Sequence, residues 1–135
     1  MTNNLVRGVG LGVGLTVVLN ALIYGLGRAL TVSYLVARPG VAGFQTIGLG
    51  MVIGVSVVAA LGGGLLAWFL GLDRDRSLTT FGWIAAVVAL LSLLGPYRLA
   101  RDSGSFVFLG LMHIGAALAI VYSLAHFYWR REACA

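Results

Sequence analysis

Four long apolar runs separated by short polar breaks dominate the chain, at roughly Gly8–Leu30, Thr46–Leu72, Leu78–Tyr97 and Phe106–Trp129. Each is close to or above the ~20 residues that a helix needs to cross a hydrocarbon layer about 30 Å thick. The first run opens with strict alternation, Gly8-Val9-Gly10-Leu11-Gly12-Val13-Gly14, which alone would suit a strand. Its length and continuation favour a helix. There Gly8 with Gly12, and Gly10 with Gly14, form small-xxx-small pairs that let a neighbouring backbone approach. Further along, Thr16, Asn20 and Tyr24 recur every four residues, and Gly27 completes their face. An asparagine in hydrocarbon is costly unless hydrogen-bonded, so this face is expected to point into a bundle.

In the second run only Ser56 is strongly polar. Gly50 and Gly54 form one small pair, and Ser56, Ala59, Ala60, Gly63, Gly64 and Ala67 form a second stripe. Gly62-Gly63-Gly64 reads as a close-packing site rather than a hinge. In the third run Ala85, Ala89, Ser92 and Pro96 share a narrow face. Proline has no N–H and crowds the carbonyl four residues back, so the carbonyl of Ser92 needs another donor. In the fourth run Gly110, His113, Ala116, Ala117 and Ile120 share a face, and His113 is expected to pack inward. The longest connection, Thr31–Gln45, alternates at Val32, Tyr34 and Val36 and carries a turn signal at Arg38-Pro39-Gly40. It predicts an extended or interfacial segment, with a short hairpin over the bundle mouth. Asp73-Arg74-Asp75-Arg76 reads as a solvated turn. Ser77, Thr79 or Thr80 would cap the third helix, and Ser103 or Ser105 the fourth.

The fold class is therefore all-α, a polytopic bundle of four transmembrane helices forming a single domain over residues 1–135. Composition agrees: 60% of residues are hydrophobic and 10% charged, too few charges to cover a soluble domain. The nine basic residues, all arginine, outnumber the four acids. They cluster at run ends, which suits membrane anchoring and membrane lipids as partners rather than nucleic acid. The first run is long for a signal peptide and reads as a retained span. Four spans put both termini on one side, with Arg7, Arg74, Arg76, Arg130 and Arg131 there against Arg28, Arg38, Arg98 and Arg101 opposite. Trp68, Trp83 and Trp129 form an aromatic belt on the termini side. The expected placement is the cell membrane with cytoplasmic termini. Cys134 is the sole cysteine, so no disulfide can form within the chain.

Counting depth at about 1.5 Å per residue brings Asn20, Ser92 and His113 to a common level, one to two turns below the outer surface. Tyr24, Arg28 and Arg98 lie nearer the mouth. The expectation is a polar layer in which Asn20, Ser92 and His113 satisfy one another and the carbonyl freed by Pro96. An Asn in span one, Leu91-Ser92 with Pro96 closing span three, and Met112-His113 in span four make a pattern. It resembles an uncharacterised family of small actinobacterial membrane proteins with four helices, a domain of unknown function. That resemblance covers nearly the whole chain and implies the fold and the polar positions, but no activity.

No nucleophile–base–acid set, metal-ligand cluster or phosphate loop is visible, so the reading leans away from an enzyme, and no cofactor is implied. The first functional reading is a structural, accessory or scaffold subunit in a homo-oligomer or larger membrane complex. The alternative is a module binding a lipid, a quinone or a small apolar ligand among Asn20, Tyr24, Ser92, Pro96 and His113. A small transporter fits less well. Small multidrug exporters carry a membrane-embedded Glu in span one, whereas all four acids here lie in loops or the tail. A haem site through His113 would need a dimer, because His113 and His126 do not share a helical face.

Overall fold

The computed structural model describes residues 2–37, 40–70 and 75–132, with side chains described over 5–37, 40–70 and 79–126. The expectations placed on Arg38-Pro39, on Asp73-Arg74, on the side chains of Asp75, Arg76, Trp129, Arg130 and Arg131, and on Cys134 lie outside these residues. In chain order the elements are α1 (Thr2–Ala29), β1 (Leu35–Ala37), β2 (Phe44–Thr46), α2 (Leu49–Phe69), α3 (Asp75–Ser92), α4 (Leu94–Leu99) and α5 (Ser103–Glu132). Among the described residues four segments are long and apolar enough to span a membrane: Leu5–Ala29, Leu49–Phe69, Thr79–Leu99 and Ser103–His126. Large apolar side chains such as Leu22, Val58, Leu65 and Leu118 face outward, as a lipid solvent allows. The chain is an all-α, four-span membrane protein.

Lipid tails are as apolar as leucine, so the spans associate through close packing and hydrogen bonds rather than through hydrophobic exclusion. The face of α1 shows this. Gly8, Gly12, Thr16, Asn20 and Gly27 are buried and Tyr24 is half-buried, whereas Gly10 and Gly14 are exposed. A Cβ on Gly8 would approach Leu124 at 3.3 Å and one on Gly12 would approach Ser123 at 3.6 Å. Gly8 and Gly12 therefore carry the close α1–α5 contact, while Gly10, Gly14, Gly50 and Gly54 have no neighbour within 4 Å of an added Cβ. In the α2 glycine triplet, Gly63 and Gly64 are packing sites, whereas nothing lies within 4 Å of a Cβ added to Gly62. A Cβ on Gly63 would meet Ile120 at 2.7 Å, and one on Gly64 would run into Val9.

Helices α1, α2 and α5 form the tight part of the bundle, and α3 joins it through α5 while scarcely touching α2. The interior has two clusters. One, around Ala60, Ala67, Phe81, Ile120 and Leu124, lies toward the termini, and the other, around Tyr34, Val52, Leu109 and Met112, lies toward the hairpin.

The third span is interrupted. Helix α3 ends at Ser92, Leu93 turns, and α4 restarts at Leu94 with Pro96 in its first turn. A proline ring excludes a continuous helix over the four preceding residues, but it fits a first turn that needs no N–H there. The interruption therefore falls upstream of Pro96, and Leu93 N–H is shared between the carbonyls of Ala89 and Leu90 at 3.3 and 3.2 Å.

Between α1 and α2 the expected hairpin is present. Strand β1 pairs antiparallel with β2 in the register Leu35↔Thr46, Val36↔Gln45, Ala37↔Phe44. On its other side β1 bridges Ala100 through Val36, and Arg101 N–H donates to Leu35 O at 3.0 Å. The segment entering the hairpin is held by Tyr34, which has no exposed surface and a left-handed backbone (φ 52°). Its ring stacks on Tyr24 at 4.7 Å and meets Phe108 edge-on at 6.4 Å. Its hydroxyl reaches the carbonyls of Ile23 and Tyr24 at 3.3 Å. Gly27 makes room for it, since a Cβ there would overlap the Tyr34 hydroxyl.

Two capping expectations are corrected. Asp102, not Ser103 or Ser105, caps α5: its Oδ1 accepts the Ser105 N–H at 2.8 Å. A carboxylate also suits the positive end of the helix dipole. Ser77, Thr79 and Thr80 lie inside α3, which already begins at Asp75.

Candidate functional site

The weak α2–α3 contact leaves a cavity of about 810 Å³ between these helices. Its back wall is α5, through Leu109, Met112, His113, Ala116, Ala117 and Ile120. One side is α2, from Met51 to Leu66, and the other is α3–α4, from Phe81 to Leu99. The hairpin closes one end with Val36, Ala37, Gln45, Thr46 and Ile47. Met51, Val55 and Val88 line it and are also among the exposed apolar side chains, so the cavity is a cleft open on its lipid side. Among the described residues that line it, none is Asp, Glu, Lys or Arg.

Four of the residues singled out from sequence, Asn20, Ser92, Pro96 and His113, border this one cleft. The faces Ala85–Ala89–Ser92–Pro96 and His113–Ala116–Ala117–Ile120 both line it. Tyr24, Arg28 and Arg98 do not line it. Tyr24 instead donates its hydroxyl proton to Ile47 O at 3.2 Å, tying α1 to the end of the hairpin. Arg28 and Arg98 are exposed.

The expected mutual hydrogen bonds among Asn20, Ser92 and His113 do not form. Asn20 Nδ2 donates to Ser56 Oγ at 2.8 Å, a buried bond from α1 to α2. Ser56 passes its own proton to Val52 O at 2.7 Å. Ser92 donates to Ala89 O at 2.7 Å within α3. His113 Nδ1 lies 2.7 Å from Leu109 O within α5. The physical reason is local competition: a hydroxyl or imidazole on a helix finds the carbonyl three or four residues back without crossing a gap.

These bonds settle where the protons are. A backbone carbonyl only accepts, so His113 Nδ1 carries a proton and, in the neutral ring, Nε2 is an acceptor. Ser56 has spent its proton on Val52, so it can only accept from Asn20, which assigns the amide orientation. Asn20 Oδ1 is then left buried without a partner, as is Thr16 Oγ1 one turn earlier. Asn20 is 5% exposed and Thr16 fully buried. Buried polar atoms are satisfied in most structures, so an orphan acceptor on a residue lining a cleft is a notable exception.

Sequence reasoning missed three contributors. Ser56 belongs to the polar level because it lies seven residues into α2, about 10 Å below the hairpin. The depth count used for the other spans would have found it. Tyr34 and Asp102 depend on contacts between distant segments. Asp102 Oδ2 accepts from Ser33 Oγ at 2.6 Å and Ser105 Oγ at 2.9 Å, clamping the hairpin's entry to the start of α5. The Ser33 hydroxyl, followed by the Ser105 N–H and hydroxyl, holds the Asp102 carboxyl below its ordinary range. Arg101 lies over the Phe44 ring at 5.4 Å, adding a cation–π contact on the same side. Among the described residues no three His, Cys, Asp or Glu side chains gather as a metal site would need.

Fold and cleft together define a small four-span membrane protein with an intramembrane cleft under a β-hairpin roof. The chain belongs to a family of unknown function, DUF6069, which matches residues 1–128. No curated protein and no solved structure matches it.

Proposed function

We propose that the protein is a membrane module that holds an apolar or amphiphilic small molecule in the cleft between α2 and α3. The cleft itself carries the proposal. Its volume of about 810 Å³ lies within the range of small-molecule sites, and its wall is apolar with a few polar groups, as such sites are. The lipid side supplies the entry route for a molecule already dissolved in the membrane. On this reading the protein resides in a bacterial cell membrane, in actinobacteria as the sequence resemblance implies, with its termini in the cytoplasm and the hairpin outside. The slight arginine excess on the termini side supports that orientation.

The test is extraction in mild detergent followed by native mass spectrometry. A stoichiometric apolar adduct is expected, and it should be lost in Ala89→Trp, which puts a large side chain on the cleft wall. Protein that is empty in both membrane extracts and lipid-supplemented samples contradicts the proposal. A second reading, a structural or accessory subunit, is supported by the buried Asn20–Ser56 bond, which joins two spans. It predicts the same melting behaviour with or without extractable small molecules.

A further inference from the structure

From the hydrogen-bond bookkeeping of the cleft we infer that its ligand is an uncharged lipid-like alcohol, an apolar body bearing a hydroxyl that donates to the polar level. The inference rests on the cleft being a ligand site. With no Asp, Glu, Lys or Arg among the described lining residues, a phosphate or carboxylate head would find no fixed counter-charge among them in a low-dielectric site. The head is therefore neutral.

Its hydrogen-bonding sense follows from the protons already spent. Ser92 has given its proton to Ala89 O, and His113 Nδ1 has given its proton to Leu109 O. What each can still offer is a lone pair, on Oγ and on Nε2. Asn20 also borders the cleft, but its unpartnered Oδ1 is itself buried and does not open onto it. Ser92 and His113, from two helices, thus keep unused acceptors in one apolar cleft. A ketone, ester or ether head brings acceptors only and would leave these groups unpaired. A hydroxyl brings the missing donor for one of these acceptors. A quinol satisfies the same pattern and a quinone does not.

The experiment uses the full chain in detergent, titrated with geranylgeraniol and, separately, with its methyl ether and the parent hydrocarbon. Occupancy is read by native mass spectrometry. The alcohol is expected to bind about ten- to a hundredfold more tightly than the ether, the range set by leaving a buried polar group unpaired. Combining Ser92→Ala with His113→Phe should abolish that ratio, with hydrocarbon binding to the same variant as the reference. Neither change touches the Asn20–Ser56 bond, so the combined variant keeps that link between spans. Equal binding of alcohol and ether overturns the hydroxyl inference and leaves the ligand site standing. Failure of all three compounds to bind overturns both.

Discussion

Gly27→Ala tests whether the hairpin roof is held by a packed aromatic post. The new methyl would sit 2.8 Å from Tyr34 Cζ and 2.9 Å from Phe108 Cδ1, as well as overlapping the Tyr34 hydroxyl. The Tyr34 ring has no free side to move into, because it has no exposed surface and is stacked on Tyr24. If the rings stay, the overpacking costs about 1–3 kcal/mol. If Tyr34 is expelled, two aromatic contacts of about 0.5–1.5 kcal/mol each and a hydroxyl bond of similar size are lost. Both routes lead to a penalty of about 2–3 kcal/mol. Replacing a helical glycine by alanine also brings a propensity gain of about 0.5–1 kcal/mol. Gly10→Ala supplies the control for that gain, since nothing lies within 4 Å of its added Cβ. Melting of both variants in the same detergent should place Gly27→Ala well below wild type and Gly10→Ala at or slightly above it. Equal melting of the two variants would refute the role given to Tyr34.

Other outcomes follow from the polar contacts. Asn20→Ala should lower stability by about 0.6–2 kcal/mol through loss of the bond to Ser56, read as a shift in detergent melting. Thr16→Val should be neutral or stabilising, because it removes a buried hydroxyl that has no partner. Asp102 is held below its ordinary value of 3.8, so its contribution is complete above that pH and is lost as pH falls through the lowered folded value. Melting temperature should therefore drop on acidification below about pH 4. Asp102→Asn, which keeps a capping oxygen, should flatten that acid limb.

The spans were legible because a bilayer demands long uninterrupted apolar helices and punishes exceptions. The inward face of α1 was equally legible, since Gly8, Gly12, Thr16, Asn20 and Gly27 repeat at helical spacing and are buried. Hairpin alternation at Val32, Tyr34 and Val36 carried enough signal to place an extended segment there. What periodicity could not supply was the choice of partner. Asn20, Ser92 and His113 do share one cleft, but each found a nearer hydrogen bond than the others. A serine or histidine within a helix always has a local carbonyl in reach, and sequence spacing does not reveal which option wins. Small residues were ambiguous in the same way. Gly63 and Gly64 pack against the side chains of Ile120 and Val9, while Gly50 and Gly54 face outward. The α2–α3 gap is a property of how α3 leans on α5, and no stretch of sequence encodes it by itself.

The central claim is that the α2–α3 cleft holds a non-protein molecule in the membrane. The most direct measurement is an experimental structure of the protein in lipid nanodiscs, resolved well enough to show acyl-like density. Continuous density between Met51, Val55 and Val88, ending beside Ser92 and His113, is the predicted result. Helices α2 and α3 closed on each other, with their side chains filling the space, would contradict it.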